Sequence, residues 1–204
     1  EPEVAERCLN EIGICFMFAP NHHRLSPTLA KVRRGLGFPT IFNCVGPLCN
    51  PASAPHQLIG VWDMDLVPKM ANALARLGTT RSWIVNGNGL DEISLEGSTT
   101  VAEIVGNDVR FREVEPMNFE IERCEIDGIQ CSDAVASSEM IRQVLHGKMK
   151  DTAAENIVVM NSAAAICLAS AKMTTSEAVE AARESVRSRK AQRKMEELVT
   201  AIPA

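Results

Sequence analysis

Apolar residues recur along this chain at two periods, and the switches between them predict its elements. Over residues 3–12, Val4, Cys8, Leu9 and Ile12 fall at helical spacing, with Gly13 placed as a C-cap. Residues 14–18, ICFMF, are continuously apolar over a strand's length and predict a buried strand that ends before Pro20. Ser26-Pro27 then opens a helix reaching Gly35, since serine caps and proline suits the first helical position. A second short helix is expected over 40–45, closed by Gly46-Pro47. Strands follow at 57–62 (QLIGVW) and 82–86 (SWIVN). Between them Leu66, Met70, Ala73, Leu74 and Leu77 make one apolar face of a helix ending at Gly78.

Strand, helix, strand, helix and strand thus alternate through residue 86, the pattern of an α/β fold with a mainly parallel sheet flanked by helices. Residues 98–114 predict a hairpin turning at Gly106-Asn107 on the rim of that sheet. Residues 115–133 are irregular, and helices follow at 136–146, 152–171, 174–188 and 190–201. The NSAAAICLASA stretch is small-faced and suits close packing in a core. The last helix is polar and mixed in sign, a solvated face.

Composition narrows the functional classes. The 204 residues are 46% hydrophobic and 23% charged, ordinary globular material long enough for a sizeable core. No apolar run approaches a membrane span, and residues 1–20 lack the basic start of a signal peptide. A net charge of −5 argues against nucleic-acid binding through a basic face. Seven cysteines without a CxxC pair or a zinc spacing read as free thiols of a reducing compartment, hence a cytoplasmic protein.

Two stretches carry candidate chemistry. In 18–51, His23, Arg33 and Gly46-Pro47 could return to one pocket if the intervening segment is helical. Arg33 would offer a planar fork of donors to a carboxylate, and Gly46 would let a ligand approach the backbone. The competing reading is a solvated Arg33-Arg34 pair on a surface helix. In 86–92, NGNGLDE, Asp91 and Glu92 stand on a glycine-rich turn at the end of a strand. Mg²⁺ favours one or two carboxylates together with phosphate oxygens and water. The competing reading there is a solvated acidic turn. His56 and His146 read as structural or solvent-facing; Asn161 could hydrogen-bond inward, with helix packing the favoured reading. No Walker A or GxSxG motif is present, and no side chain stands out as a catalytic base or nucleophile.

Taken in order, FMFAPNHH, VRRGLG, PTIFN, VGPL, NP, QLIGV, NGLDEISLEG and VVMNSAAA resemble the anthranilate phosphoribosyltransferase family over nearly the whole chain. The resemblance implies a nucleoside phosphorylase/phosphoribosyltransferase-like fold, with 24–50 contributing to a small helical domain and hinge and 51–204 to the α/β domain. It implies transfer of phosphoribose from phosphoribosyl pyrophosphate to anthranilate, with release of pyrophosphate, and a homodimer at full length. His23, Arg33, Gly46 and Pro47 would line the anthranilate site, with Arg33 the carboxylate partner rather than Arg34. Asp91 and Glu92 would hold Mg²⁺. A pyrimidine nucleoside phosphorylase relative and a nucleic-acid-binding relative of the same fold are the alternatives.

The departures are specific. The family's glycine-rich GTGGD loop and its KHGNR stretch have no counterpart here. The chain is therefore expected to be the C-terminal portion of such an enzyme, inactive alone. Arg24 stands where the family commonly has proline, and Asn86 where it commonly has histidine.

Overall fold

The computed structural model describes residues 2–18, 32, 35–36 and 40–202. These form two compact units, one of residues 1–53 with 193–204 and one of residues 54–192.

In the first unit, α1 (Pro2–Ile12) ends at Gly13, whose φ of +78° and N–H bond to the Leu9 carbonyl make the expected cap. Arg7 and Lys194 donate to the carbonyls of Ala201 and Ile12, which ties α1 to the C-terminal helix. The expected strand at 14–18 does not form. Ile14, Phe16 and Phe18 are exposed, and the Phe16 and Phe18 rings stack on each other at 6.3 Å. A short apolar run specifies a strand only where a neighbour accepts its backbone bonds, and among the described residues none does. The expected helix at 40–45 is α2 (Ile41–Leu48), which runs through Gly46-Pro47 instead of stopping before it. Its start is held by Asn43, whose Oδ1 accepts from the Thr40 N–H at 3.0 Å. The proline removes one helical N–H, and Cys49 closes the turn by donating to both the Val45 and Gly46 carbonyls.

In the second unit, four strands lie in sequence order: β1 (His56–Gly60), β2 (Arg81–Asn86), β3 (Thr99–Val105) and β4 (Asp108–Val114). β1 and β2 are parallel and joined through α3 (Leu66–Leu77), whereas β2–β3 and β3–β4 are antiparallel. The class is α/β as expected. One pairing of the three is parallel, because the 98–114 hairpin adds two antiparallel strands beside β2.

Alternation along β2 splits the core into two layers. Trp83 and Val85 join Val101 and Val114 under α5 (Ala153–Ala169) and α6 (Thr175–Arg187). Ile84, Ala102 and Ile104 point to the other face, where α3 packs with Val67, Met70, Ala71 and Leu74 buried. On α5, Val159, Met160, Ala163 and Ala164 are fully buried, so its alanines let the helix lie close to the sheet. Two 3₁₀ turns and α4 (Ala134–Leu145) link β4 to α5, and α7 (Lys190–Ala201) buries no residue, as its mixed charge predicts. All seven cysteines are free thiols.

Candidate active site

The glycine-rich stretch after β2 folds into a defined turn. Asn88 and Gly89 both have positive φ, +58° and +95°, and Gly87 and Leu90 exchange backbone hydrogen bonds across them. That is the Asn-Gly hairpin turn, which needs left-handed backbone at both central positions. Asn86, the last residue of β2, is buried and spans two segments. Its Nδ2 donates to the Val61 carbonyl at 2.6 Å, and its Oδ1 accepts from the Gly89 N–H at 3.2 Å. The amide is thus built into the turn that follows it.

Asp91 and Glu92 come next, exposed, at the C-terminal end of the parallel pair where open α/β sheets bind ligands. Immediately beyond them Ile93 and Leu95 alternate into the core with no exposed surface. The chain therefore dives inward directly after the two carboxylates. Ser94 N–H donates to Thr99 Oγ1 at 2.9 Å, and the Leu95 carbonyl accepts from the Cys124 N–H.

Two glycines make room for this path. A Cβ at Gly60, the last residue of β1, would overlap the Asp91 carbonyl group. A Cβ at Gly87 would stand 2.6 Å from the Glu92 carbonyl oxygen and 2.8 Å from the Ser94 Cβ. Only glycine lets the carboxylate turn sit directly on the strand ends. Gly60 was not singled out in the sequence, where it falls inside the strand expected over 57–62; a glycine within a strand is the one clue to a close backbone approach.

The protein around Glu92 withdraws water from its carboxyl, and the charge of Asp91 beside it adds to the effect. Both raise the Glu92 pKa above the ordinary glutamate value. A divalent cation shared by the pair would remove that penalty. Among the described residues no cluster of three or more His, Cys, Asp or Glu could hold a metal by itself. Two carboxylates on an exposed turn fit Mg²⁺ in the form that keeps water and phosphate oxygens as its remaining ligands.

The expected acceptor residues are divided. His23 and Arg33, with their neighbours Arg24 and Arg34 and the helix over 26–35 save residues 32 and 35, lie outside the described residues. Gly46 and Pro47 stand in the last turn of α2, in the first unit, with Gly46 half-buried and Pro47 exposed. Asp91 and Glu92 belong to the second unit. Asn161 takes the inward of its two readings, since its side chain bonds to the backbone of Ile93.

Residues 1–192 match the family described as glycosyl transferase family, a/b domain. The chain belongs to that family. Among its members, anthranilate phosphoribosyltransferase of Chromobacterium violaceum is 41% identical over 199 residues, covering 97% of this chain and 58% of the relative. The Thioalkalivibrio sulfidiphilus protein of the same name is 38% identical over 200 residues, covering 98% and 59%. The Thermus thermophilus anthranilate phosphoribosyltransferase superposes with a TM-score of 0.84 at 29% identity, over 98% of this chain and 59% of that one. The Saccharomyces cerevisiae enzyme, solved in complex with PRPP and Mg, gives 0.76 at 30% identity, over 85% and 50%. This glycosyl transferase family chain thus spans little more than half the length of the relatives it matches.

Proposed function

We propose that the chain is the acceptor- and metal-binding part of an anthranilate phosphoribosyltransferase. The observation that carries this reading is the Asp91-Glu92 turn, seated on Gly60 and Gly87 at the ends of the parallel strands. Support comes from the similarity to enzymes of that name, one of them solved with PRPP and Mg and another with 4-fluoroanthranilate.

In this reading Asp91 and Glu92 hold Mg²⁺ against the pyrophosphate of phosphoribosyl pyrophosphate. When bound, the ion neutralises charge on the departing pyrophosphate. The chain's own residues do the rest by position. The turn keeps both carboxylates facing outward at a fixed place, while Arg33 takes the anthranilate carboxylate and His23, Gly46 and Pro47 line its ring. Displacement at the anomeric carbon passes through a state with oxocarbenium character, as glycosyl transfers do. A neutral amine held in line requires no strong protein base, so placement supplies most of the acceleration. The complete enzyme is a homodimer in this reading and works in the cytoplasm, which suits seven free thiols. Among the described residues no helix is long and apolar enough to cross a membrane.

The test is loss of anthranilate fluorescence with phosphoribosyl pyrophosphate and Mg²⁺. The natural protein containing these residues is expected to consume anthranilate, and the 204-residue chain alone is expected not to. Arg33→Ala should weaken use of anthranilate far more than Arg34→Ala. No consumption by the complete protein overturns the function, and equal effects of the two substitutions overturn the assignment of Arg33.

A further inference from the structure

We propose that Asn161, on α5, is a positioning residue for the Asp91-Glu92 turn, and that it sets the affinity of that turn for a divalent cation. The inference rests on the metal reading above and deepens it.

Asn161 lies 68 positions from Ile93 in sequence, yet its amide is laid against the Ile93 backbone in a two-point pair. Oδ1 accepts from the Ile93 N–H at 2.9 Å, and Nδ2 donates to the Ile93 carbonyl at 3.1 Å. The second Nδ2 hydrogen goes to the Ile157 carbonyl one helical turn back, at 3.0 Å. Both donors of the amide are therefore used, and the side chain has no freedom to rotate. Two antiparallel bonds to one residue define its orientation as well as its position. Ile93 is fully buried and immediately follows Glu92, so any rotation of its backbone is transmitted to the Glu92 carboxylate.

The other end of the turn is held in the same manner, because Asn86 accepts from Gly89 and donates to Val61. Asp91 and Glu92 thus sit between two amide clasps, one from the strand that precedes them and one from a distant helix. Adjacent like charges repel and would spread a free loop. A metal pair needs them held in one geometry by groups that are themselves fixed. Packing alone would not call for this arrangement, since Ile93 and Leu95 already bury their side chains without it.

The experiment uses the natural protein containing these residues, with Mn²⁺ as probe at a fixed concentration of phosphoribosyl pyrophosphate, read by the free-ion electron paramagnetic resonance signal. Asn161→Ala is expected to bind Mn²⁺ about tenfold more weakly or worse, the usual cost of losing an outer-shell partner. Titration is done well below each variant's own melting midpoint, so that only folded protein is compared. Backbone amide exchange over residues 90–94 is expected to quicken while β2 keeps its protection. Val179→Ala, a core truncation on α6, serves as a control that lowers stability and leaves Mn²⁺ affinity unchanged. Should Asn161→Ala fail to fold, Asn161→Asp keeps the shape and the bond from Ile93 N–H but sets a carboxylate against the Ile93 carbonyl; it should weaken Mn²⁺ in the same direction. Wild-type affinity in the folded Asn161 variant overturns the positioning role and leaves the metal reading intact. Mn²⁺ binding that is absent in the wild type, or unchanged by Glu92→Gln, overturns the metal reading and this proposal with it.

Discussion

At the scale of single residues, the site depends on what is missing from a side chain as much as on what is present. Gly60 has no unusual φ, and its whole contribution is the space where a Cβ would collide with the Asp91 carbonyl. Gly106 is the opposite case, with φ +58° and open space around it. Gly60→Ala is therefore expected to cost on the order of 3 kcal/mol through overpacking against rigid backbone. Gly106→Ala should cost only about 1 kcal/mol, for left-handed backbone alone. Urea midpoints separate the two, and a Gly60→Ala loss no larger than that of Gly106→Ala would mean that the turn does not rest on β1. These residues also show what could be read in advance. Asp91, Glu92 and the tight Asn-Gly turn were legible because their chemistry is local. The partners of Gly60 and Asn161 were not, since each acts on a segment far along the chain that only folding brings beside it.

Among elements, the helices were the most legible, because a 3.6-residue period and end caps are properties of contiguous sequence. Thr152 and Thr174 cap α5 and α6 by accepting from Glu155 and Glu177 N–H groups, as their positions predict. The errors fell where an element depends on a neighbour. Residues 14–18 pair with no strand among the described residues, and the direction of β3 and β4 is set by their register with β2. The pairing of those three strands is reinforced by Glu103. Its Oε1 accepts from Arg81 Nη2 at 3.1 Å and Trp83 Nε1 at 3.2 Å, and its Oε2 faces Arg112 Nε at 3.6 Å. Burial raises the Glu103 pKa, but the hydrogen bonds from Trp83 and Arg81 and the nearby guanidinium charges outweigh it. The net shift is downward. A depressed carboxylate stabilises the fold above its unfolded pKa and loses that contribution as pH falls through the folded value. Glu103→Gln should then cost about 1–2 kcal/mol at neutral pH. The gap from wild type should close as pH falls from the ordinary glutamate range through the lowered folded value. Denaturation across that range decides it, and a pH-independent gap would assign the effect to shape rather than charge.

On the scale of the whole molecule, the two units divide the expected site. Gly46 and Pro47 stand in one, Asp91 and Glu92 in the other. The proposed acceptor residues His23, Arg33, Gly46 and Pro47 were singled out within one stretch, 18–51, and their assignment to anthranilate rests on the ordered set of motifs. The α/β class was legible from alternation, while the mixed sheet required the long-range register. The seat of Asp91 on Gly60 has a consequence in time. Three segments must meet before the carboxylates find their place: the end of β1, the turn after β2, and α5 with Asn161. Contacts so distant in sequence pay their closure entropy before they return any stability, and they form late. The ability to hold a divalent ion should then arise last during refolding, after the helices and the β3–β4 hairpin. A stopped-flow experiment in which Mn²⁺ uptake lags the far-ultraviolet signal would show it, and coincident phases would refute it. A nascent copy of this protein would thus carry its fold before it carries the proposed metal site.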